Sequence, residues 1–302
     1  MPLILRHIRY LIAVAEHGNF TRAAEVLHVS QPTLSQQIRQ LEDSLGAQLL
    51  DRSGRVVRLT DEGEVFVDHA RRALLLFESG RRAIREVNEL SRGEIRVGMT
   101  PPLAVFIGSM LLGEFRNLYP GITVIAYELT QSAIEQAVVD GTIDVGLAFG
   151  DALSPEAVYS TEIDAMELCQ QDLRLLVSQD NPVANRTEPI TPAELGDLEF
   201  ALLSPEYALR QHLGRYCAKH GVRLNVKFES NSLGLVLRAV TNGPLVTIAA
   251  GDQMRADPGV KLLDLTPQLP KRTAVLLRRH GAFERAACRA FKDVAKRACQ
   301  SD

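Results

Sequence analysis

Gln31, Ser35, Gln36 and Arg39 fall at a spacing that gathers their amide, hydroxyl and guanidinium groups along one side of an α-helix. Groups of this kind on a narrow ridge match the donor and acceptor pattern that base pairs show in the major groove, where glutamine suits adenine and arginine suits guanine. On the opposite side Leu34, Ile38, Leu41 and Leu45 form an apolar edge. Ser30 carries the oxygen needed to accept from the free N–H groups of a first helical turn, and Pro32 fits that turn because its missing N–H has no helical partner there. The helix is therefore predicted to begin at a defined residue, with one face packed and the other exposed.

Two earlier helices must hold it. Ile8, Leu11, Ile12 and Ala15 make the inner stripe of the first, and Ala23, Ala24 and Leu27 that of the second. Small Ala23 and Ala24 permit the close approach of a helix-turn-helix. A polar helix face alone is more often merely solvated, so the following segment carries the decision. Residues 49–59, LLDRSGRVVRL, read as two short extended runs around Ser53-Gly54, a hairpin with Arg52 and Arg55 near its tip. Such a wing suits phosphates or the minor groove. Residues 1–60 hold seven arginines and no lysine against five acids, so bulk charge adds little.

The run FTRAAEVLHVSQPTLSQQIRQLEDSLGAQLLDRSGRVVRLTDEG resembles the N-terminal signature of the LysR-type transcriptional regulators, and the likeness continues along the rest of the chain. The resemblance implies a winged helix-turn-helix domain over 1–59 and a linker or dimerisation helix over 60–90. An α/β effector-binding domain of two lobes, similar to periplasmic binding proteins, would span 91–302, with lobe I over about 91–161 and 268–302 and lobe II over about 162–267. It also implies that Gln31, Pro32, Thr33, Ser35, Gln36 and Arg39 meet DNA, with Gln36 standing where many members place arginine. Ser204, Asn231 and Thr247 match positions that line the effector cleft. The implied partners are double-stranded promoter DNA, a small anionic effector, further copies in a homodimer or homotetramer, and RNA polymerase. Within the family, AVAEHGNFTRAA, LDRSGRVVRLTDEGEVF and RTAVLLRR are most similar to the branch that activates cyanate-degradation operons. That likeness implies an activator answering to cyanate. The alternative is another small organic acid or an amino-acid-derived metabolite.

From Thr60 to about Leu90 the chain lacks proline and reads as one long helix, capped by Thr60 with Asp61 and Glu62 at the positive dipole end. Phe66, Ala70, Ala73, Phe77, Gly80, Ile84 and Val87 step alternately by four and three, the seam of a coiled coil that wants a partner helix. Leu74, Leu75 and Leu76 widen the apolar surface, and Gly80 leaves a gap in it. A two-fold dimer would present two reading helices to two half-sites.

Beyond Gly93 the apolar runs 95–99, 122–129 and 143–149 alternate with helical segments, which predicts a parallel sheet covered by helices. A second set follows at 173–177, 200–203, 226–229 and 245–249, with helices near 206–220 and 232–242, and the chain returns through 272–278 to a final helix near 283–299. Thr100-Pro101 after the first strand is a helix start with a hydroxyl at the positive dipole end. Thr130-Gln131 after the second is another, with Ser132 and Glu135 spaced as a capping box. Ligands of open α/β sheets sit beyond the carboxyl ends of strands, so Thr100, Pro101, Gln131 and Phe149 join Ser204, Asn231 and Thr247 as candidate effector contacts. No arginine or lysine clamp is evident among them, which favours a small or singly charged ligand.

The 302 residues, 46% hydrophobic and 24% charged, suit a soluble globular protein of two or three compact units. No run approaches a membrane span, and the N-terminus reads as an amphipathic helix rather than a signal peptide. Cys169, Cys217, Cys288 and Cys299 show no CxxC spacing and fit a reducing cytoplasm. Cys217 and His220 lack a second matching pair, so no metal site and no cofactor are expected. The chain holds no GxSxG elbow, no P-loop and no GxGxxG after a strand, and it is read as a non-enzyme.

Overall fold

The computed structural model describes residues 5–54, 56–86, 93–150, 162–250 and 259–300. Contacts divide the chain into two compact units, 1–81 and 82–302.

The N-terminal unit holds α1 (Leu5–His17), α2 (Phe20–Val26), α3 (Gln31–Leu45), a hairpin of β1 (Leu50–Asp51) and β2 (Arg58–Leu59), and most of α4 (Asp61–Glu86). Asn19 caps α2 by accepting from the N–H groups of Thr21 and Arg22 at 2.8 and 3.1 Å. Ser30 caps α3 by accepting from Thr33 N–H at 3.3 Å, and Gly46 ends that helix at φ 66°. Leu11, Val14, Ala23, Ala24, Leu34, Ile38 and Leu41 bury together, with Val67 of α4 among them. The hairpin is shorter than the sequence suggests, pairing only Leu50 with Leu59 and Asp51 with Arg58.

α4 starts where expected, since Thr60 Oγ1 accepts from Gly63 N–H at 3.0 Å and donates to Gln48 O at 2.6 Å. Its predicted seam divides. Ala70 is buried and Phe66 packs against the unit's own core, whereas Phe77 and Ile84 are exposed. The first two positions thus serve the monomer, because the early turns of α4 also close the helical core. Gly80 is open, with nothing near the position of a Cβ, and Val87 lies outside the described residues.

The C-terminal unit contains two lobes. Lobe I is a five-stranded sheet in the order β4 (Ile122–Glu128), β3 (Gly93–Met99), β5 (Val145–Phe149), β12 (Arg272–Arg279), β6 (Ile163–Gln171). β3 pairs in parallel with β4 and β5, but β12 runs antiparallel to both β5 and β6. The expected all-parallel sheet is therefore mixed. The assignment of 162–171 to lobe II also needs correction, since β6 lies at the edge of the lobe I sheet and pairs along its whole length with β12. Its partner lies about a hundred residues away in sequence, so local pattern carries no sign of the pairing.

One face of this sheet is covered by α6 (Ser109–Leu118) and the last helix, α11 (Ala286–Gln300), through Phe115, Phe291 and Val294. The other packs on α7 (Gln131–Asp140) through Ile134 and Val138. Helices on both faces explain why β5 is buried throughout.

Lobe II centres on β7 (Leu173–Ser178), which pairs antiparallel with β10 (Thr247–Ala250) and β11 (Val260–Leu263). The parallel pair β8 (Glu199–Leu203) and β9 (Asn225–Ser230) joins it through a bridge from Phe200 to Val246. The short α8 (Pro192–Asp197) contributes Leu195, and α9 (Ala208–Lys219) contributes Leu213, Tyr216 and Cys217, to one apolar cluster, and α10 (Leu233–Thr241) contributes Leu233, Val236 and Val240 to another.

Candidate functional site

In α3 the buried side is Leu34, Ile38, Leu41 and, less expectedly, Glu42. Gln31, Pro32, Thr33, Gln36 and Arg39 are exposed and Ser35 is half-buried, so the six candidate residues share the outward part of the helix. Thr33 Oγ1 lies 2.7 Å from Ser30 Oγ and belongs to the cap as well as to the surface. Leu45, assigned to the apolar edge, is exposed in the last turn.

The wing is held from beneath by Glu42. Its Oε1 accepts from the N–H groups of Leu49 and Leu50 at 3.0 and 3.1 Å, and its Oε2 accepts from Arg52 Nη2 at 2.7 Å. Arg52 also places its guanidinium 5.1 Å from the Phe20 ring centre. Arg52, expected to be a free cation at the wing tip, is thus tied to the helical core. Arg55 lies outside the described residues. The sequence carries no sign of this role of Glu42, because an acid at a helical i+4 step from an apolar residue has the pattern of a solvated one.

In the C-terminal unit Thr100, Pro101, Gln131 and Phe149 come together as expected, around a narrow cleft that is completed by Pro102, Tyr207, Ala208, Leu209 and Arg272. Two of the four groups are already engaged. Gln131 Oε1 accepts from Phe149 N–H at 3.2 Å and its Nε2 donates to Glu135 at 3.0 Å, which joins the start of α7 to the end of β5. Thr130, not Ser132, caps α7, by accepting from Ala133 N–H at 3.4 Å; the proposed Ser132 and Glu135 box is absent because Glu135 accepts from Gln131. Thr100 stands at the N-cap of the short α5 (Pro101–Leu103), makes no capping bond, and keeps a buried hydroxyl without a partner.

The residue missed from sequence is Arg272. It is 0% exposed, opens β12 at the return crossing from lobe II, and holds its guanidinium 3.6 Å from the Phe149 ring centre. The expectation of a cleft without arginine or lysine is therefore corrected. Arg272 pairs in register with Gln171, and beside these two residues Lys271 Nζ meets Asp172 at 3.0 Å. The cation sits where the two connecting strands lie side by side. α9 starts at the same cleft, its N-terminus uncapped by any side chain, and adds a positive dipole end to the charge of Arg272.

The remaining candidates lie elsewhere. Ser204 shapes the turn before α9 by accepting from Tyr207 N–H at 3.1 Å, and Asn231 is exposed after β9. Neither borders the cleft. Thr247 is buried and lines a separate cavity inside lobe II.

A winged helix-turn-helix followed by a two-lobed domain with a charged cleft defines a DNA-binding regulator that answers to a small molecule. Residues 5–64 match the family model described as bacterial regulatory helix-turn-helix protein, lysR family, and residues 88–300 match the LysR substrate binding domain. The chain belongs to the LysR family of transcriptional regulators, whose members regulate transcription and are not enzymes. It is 34% identical over 249 residues to the Hca operon transcriptional activator HcaR of Escherichia coli, covering 82% of this chain and 81% of that one. It is 30% identical over 281 residues to a hydrogen peroxide-inducible genes activator of Dickeya chrysanthemi, covering 92% and 90%. Its fold is similar to that of full-length CbnR complexed with its target DNA, with a TM-score of 0.68 at 23% identity, covering 98% of this chain and all of that one. A full-length OxyR from Pseudomonas aeruginosa gives 0.69, also at 23% identity, covering 100% and 96%. Among the described residues no helix is long and apolar enough to cross a membrane.

Proposed function

We propose that this regulator works in the cytoplasm as a dimer or tetramer, reads promoter half-sites through Gln31, Pro32, Thr33, Ser35, Gln36 and Arg39, and is switched by a small anion held between Thr100 and Arg272. The observation that carries the effector reading is the full burial of Arg272 in the wall of the cleft, beside the unpartnered hydroxyl of Thr100 and the uncapped N-terminus of α9. A buried guanidinium, a hydroxyl and a helix N-terminus together favour an anion over a neutral or cationic ligand. Because Arg272 opens a crossing strand, a ligand on it biases the pose of one lobe on the other, and so the arrangement of subunits on DNA. RNA polymerase is the natural further partner of an activator.

Cyanate fits as one small anion among several. The relatives named above concern the hca operon and hydrogen peroxide, and support no preference for it. A peroxide response would need an accessible thiolate. Of the four cysteines Cys217 is buried, with burial pushing its thiol pKa up, and Cys169, Cys288 and Cys299 are half-buried against the lobe I core. A bound effector is the better reading.

A thermal-shift screen of small anions and monocarboxylates tests the site. At a ligand concentration of a hundred times Kd the folded state gains about 2.7 kcal/mol. Arg272→Met and Thr100→Val are expected to lose the shift and the effector-dependent change in DNA binding while keeping basal DNA affinity. A full response in Arg272→Met would place the effector elsewhere. For the reading face, Ser35→Ala and Gln36→Ala are expected to reduce discrimination between operator and random DNA by about 1–3 kcal/mol per lost bidentate contact, with the Gln36 loss confined to an adenine position. Equal weakening on all sequences would make this a phosphate face instead. The wing assignment changes in kind: Arg52 supports the hairpin through Glu42, and the phosphate contact is proposed for Arg55 from its place in the sequence alone.

A further inference from the structure

The buried side of α9 includes Leu209, His212, Leu213 and Tyr216, a stripe at helical spacing in which one histidine stands among apolar residues. Leu209, Leu213 and Tyr216 share an apolar cluster with Leu265 and Leu269, so this side of the helix covers the segment 264–271 that leads from β11 back to β12. Two hydrogen bonds fasten the segment to the helix. Tyr216 OH donates to Pro267 O at 2.6 Å, and His212 Nε2 lies 3.0 Å from Pro270 O. A carbonyl can only accept, so the second bond requires the proton on Nε2. Pro267 and Pro270 each have a fixed φ, which stiffens the run PQLP that they bound.

A buried histidine bonded to a carbonyl is ordinary core structure; what sets His212 apart is the carbonyl it holds. Pro270 lies two residues before Arg272, at most about 7 Å along the chain, and Arg272 is the buried cation of the effector cleft. The first turn of α9 lines that cleft as well, through Ala208 and Leu209. One helix therefore supplies one positive element of the cleft directly, its own N-terminus, and holds the other, Arg272, through His212. We infer that His212 is a positioning residue of the effector site: by holding Pro270 O it sets the spacing between the Arg272 guanidinium and the start of α9, and with it the affinity of an anion that meets both. The ligand in this inference rests on the effector reading above, whereas the tether itself needs no ligand. Tyr216 makes a comparable bond five residues from Arg272 and serves only to hold the segment down.

Nuclear magnetic resonance of the full chain, labelled with nitrogen-15 at arginine, tests this. The Phe149 ring, whose centre lies 3.6 Å from the Arg272 guanidinium, shields the Arg272 Nε proton, and Arg272→Met assigns its signal. His212→Leu, and His212→Asn with an amide too short to reach Pro270 O, are expected to shift that signal toward those of the exposed arginines and to weaken binding of acetate or cyanate at least tenfold. His212→Gln keeps an N–H donor at nearly the reach of Nε2 and is expected to restore both. Tyr216→Phe is expected to lower the melting temperature while the Arg272 signal stays in place, which separates positioning from simple support. If His212→Leu fails to fold, His212→Asn and His212→Gln decide the matter. An unmoved Arg272 signal or an unchanged anion affinity in His212→Asn, loss of the signal in His212→Gln as well, or an equal displacement in Tyr216→Phe would each overturn the inference. A displaced signal in His212→Asn, with no Arg272-dependent binding of either anion to the wild type, would remove the effector reading and leave His212 as the residue that places Arg272.

Discussion

Gly63→Ala is expected to lower the melting transition of the N-terminal unit and abolish specific DNA binding, while the transition of the C-terminal unit stays where it is. A Cβ at this position would lie 2.1 Å from the carbonyl oxygen of Leu49, 2.9 Å from its carbon and 3.2 Å from its Cα. Backbone cannot swing aside as a flexible side-chain end can. Leu49 is also clamped: its carbonyl accepts from Thr60 N–H at 3.1 Å, and its own N–H donates to Glu42 at 3.0 Å. The start of α4 is held in turn by the Thr60 cap. Overpacking of this kind costs about 1–3 kcal/mol, and a clash with backbone belongs at the upper end. Since the displaced segment is the root of the wing, DNA affinity should fall with stability. Calorimetry of the full chain reads both transitions, and an unchanged lower transition in Gly63→Ala would show that α4 can move away from the wing at little cost.

Arg285→Met is expected to destabilise lobe I by about 3–5 kcal/mol, the usual cost of removing one partner from a buried ion pair. Arg285 Nη2 lies 2.5 Å from Asp144, with side chains only 3% and 7% exposed. The pair ties the approach to α11 to the strands beneath it, because Arg285 Nη1 also donates to Glu94 O at 3.1 Å and Asp144 accepts from Arg96 N–H at 2.8 Å. Replacing both partners with apolar residues, as in Arg285→Met with Asp144→Leu, should recover a large part of the loss, since no charge is then left buried without its counter-ion. Urea unfolding of the single and double variants checks this. Equal losses in the two would mean that packing, not charge, holds the last helix in place.

Local features carried most of the readable information. α3 was legible because its cap, its proline and its apolar stripe all lie within one short window and act through local geometry. The strands and helices of both lobes were legible for the same reason, through runs whose period matches their structure. β6 was recognisable as a strand but not as a member of lobe I, because its partner β12 is reached only after the chain has built lobe II.

The candidate site divided along the same line. Thr100, Pro101, Gln131 and Phe149 were found by their place at or just after the carboxyl ends of strands, a rule that local order supports. Arg272 was not, although an arginine opening the apolar run TAVLL is an unusual choice for a covered sheet and was a usable sign. Arg52 looked like a free wing cation because Glu42 and Phe20, its two restraints, are distant in sequence.

By itself, then, the sequence determined that one helix offers Gln31, Ser35, Gln36 and Arg39 to the outside on a defined start, since capping and helical period are properties of neighbouring residues. Only the tertiary structure decided which charges are free and which are tied, and where a cation stands in a cleft. Those depend on the burial and pairing of residues that meet through the fold, and burial sets the strength of every electrostatic interaction.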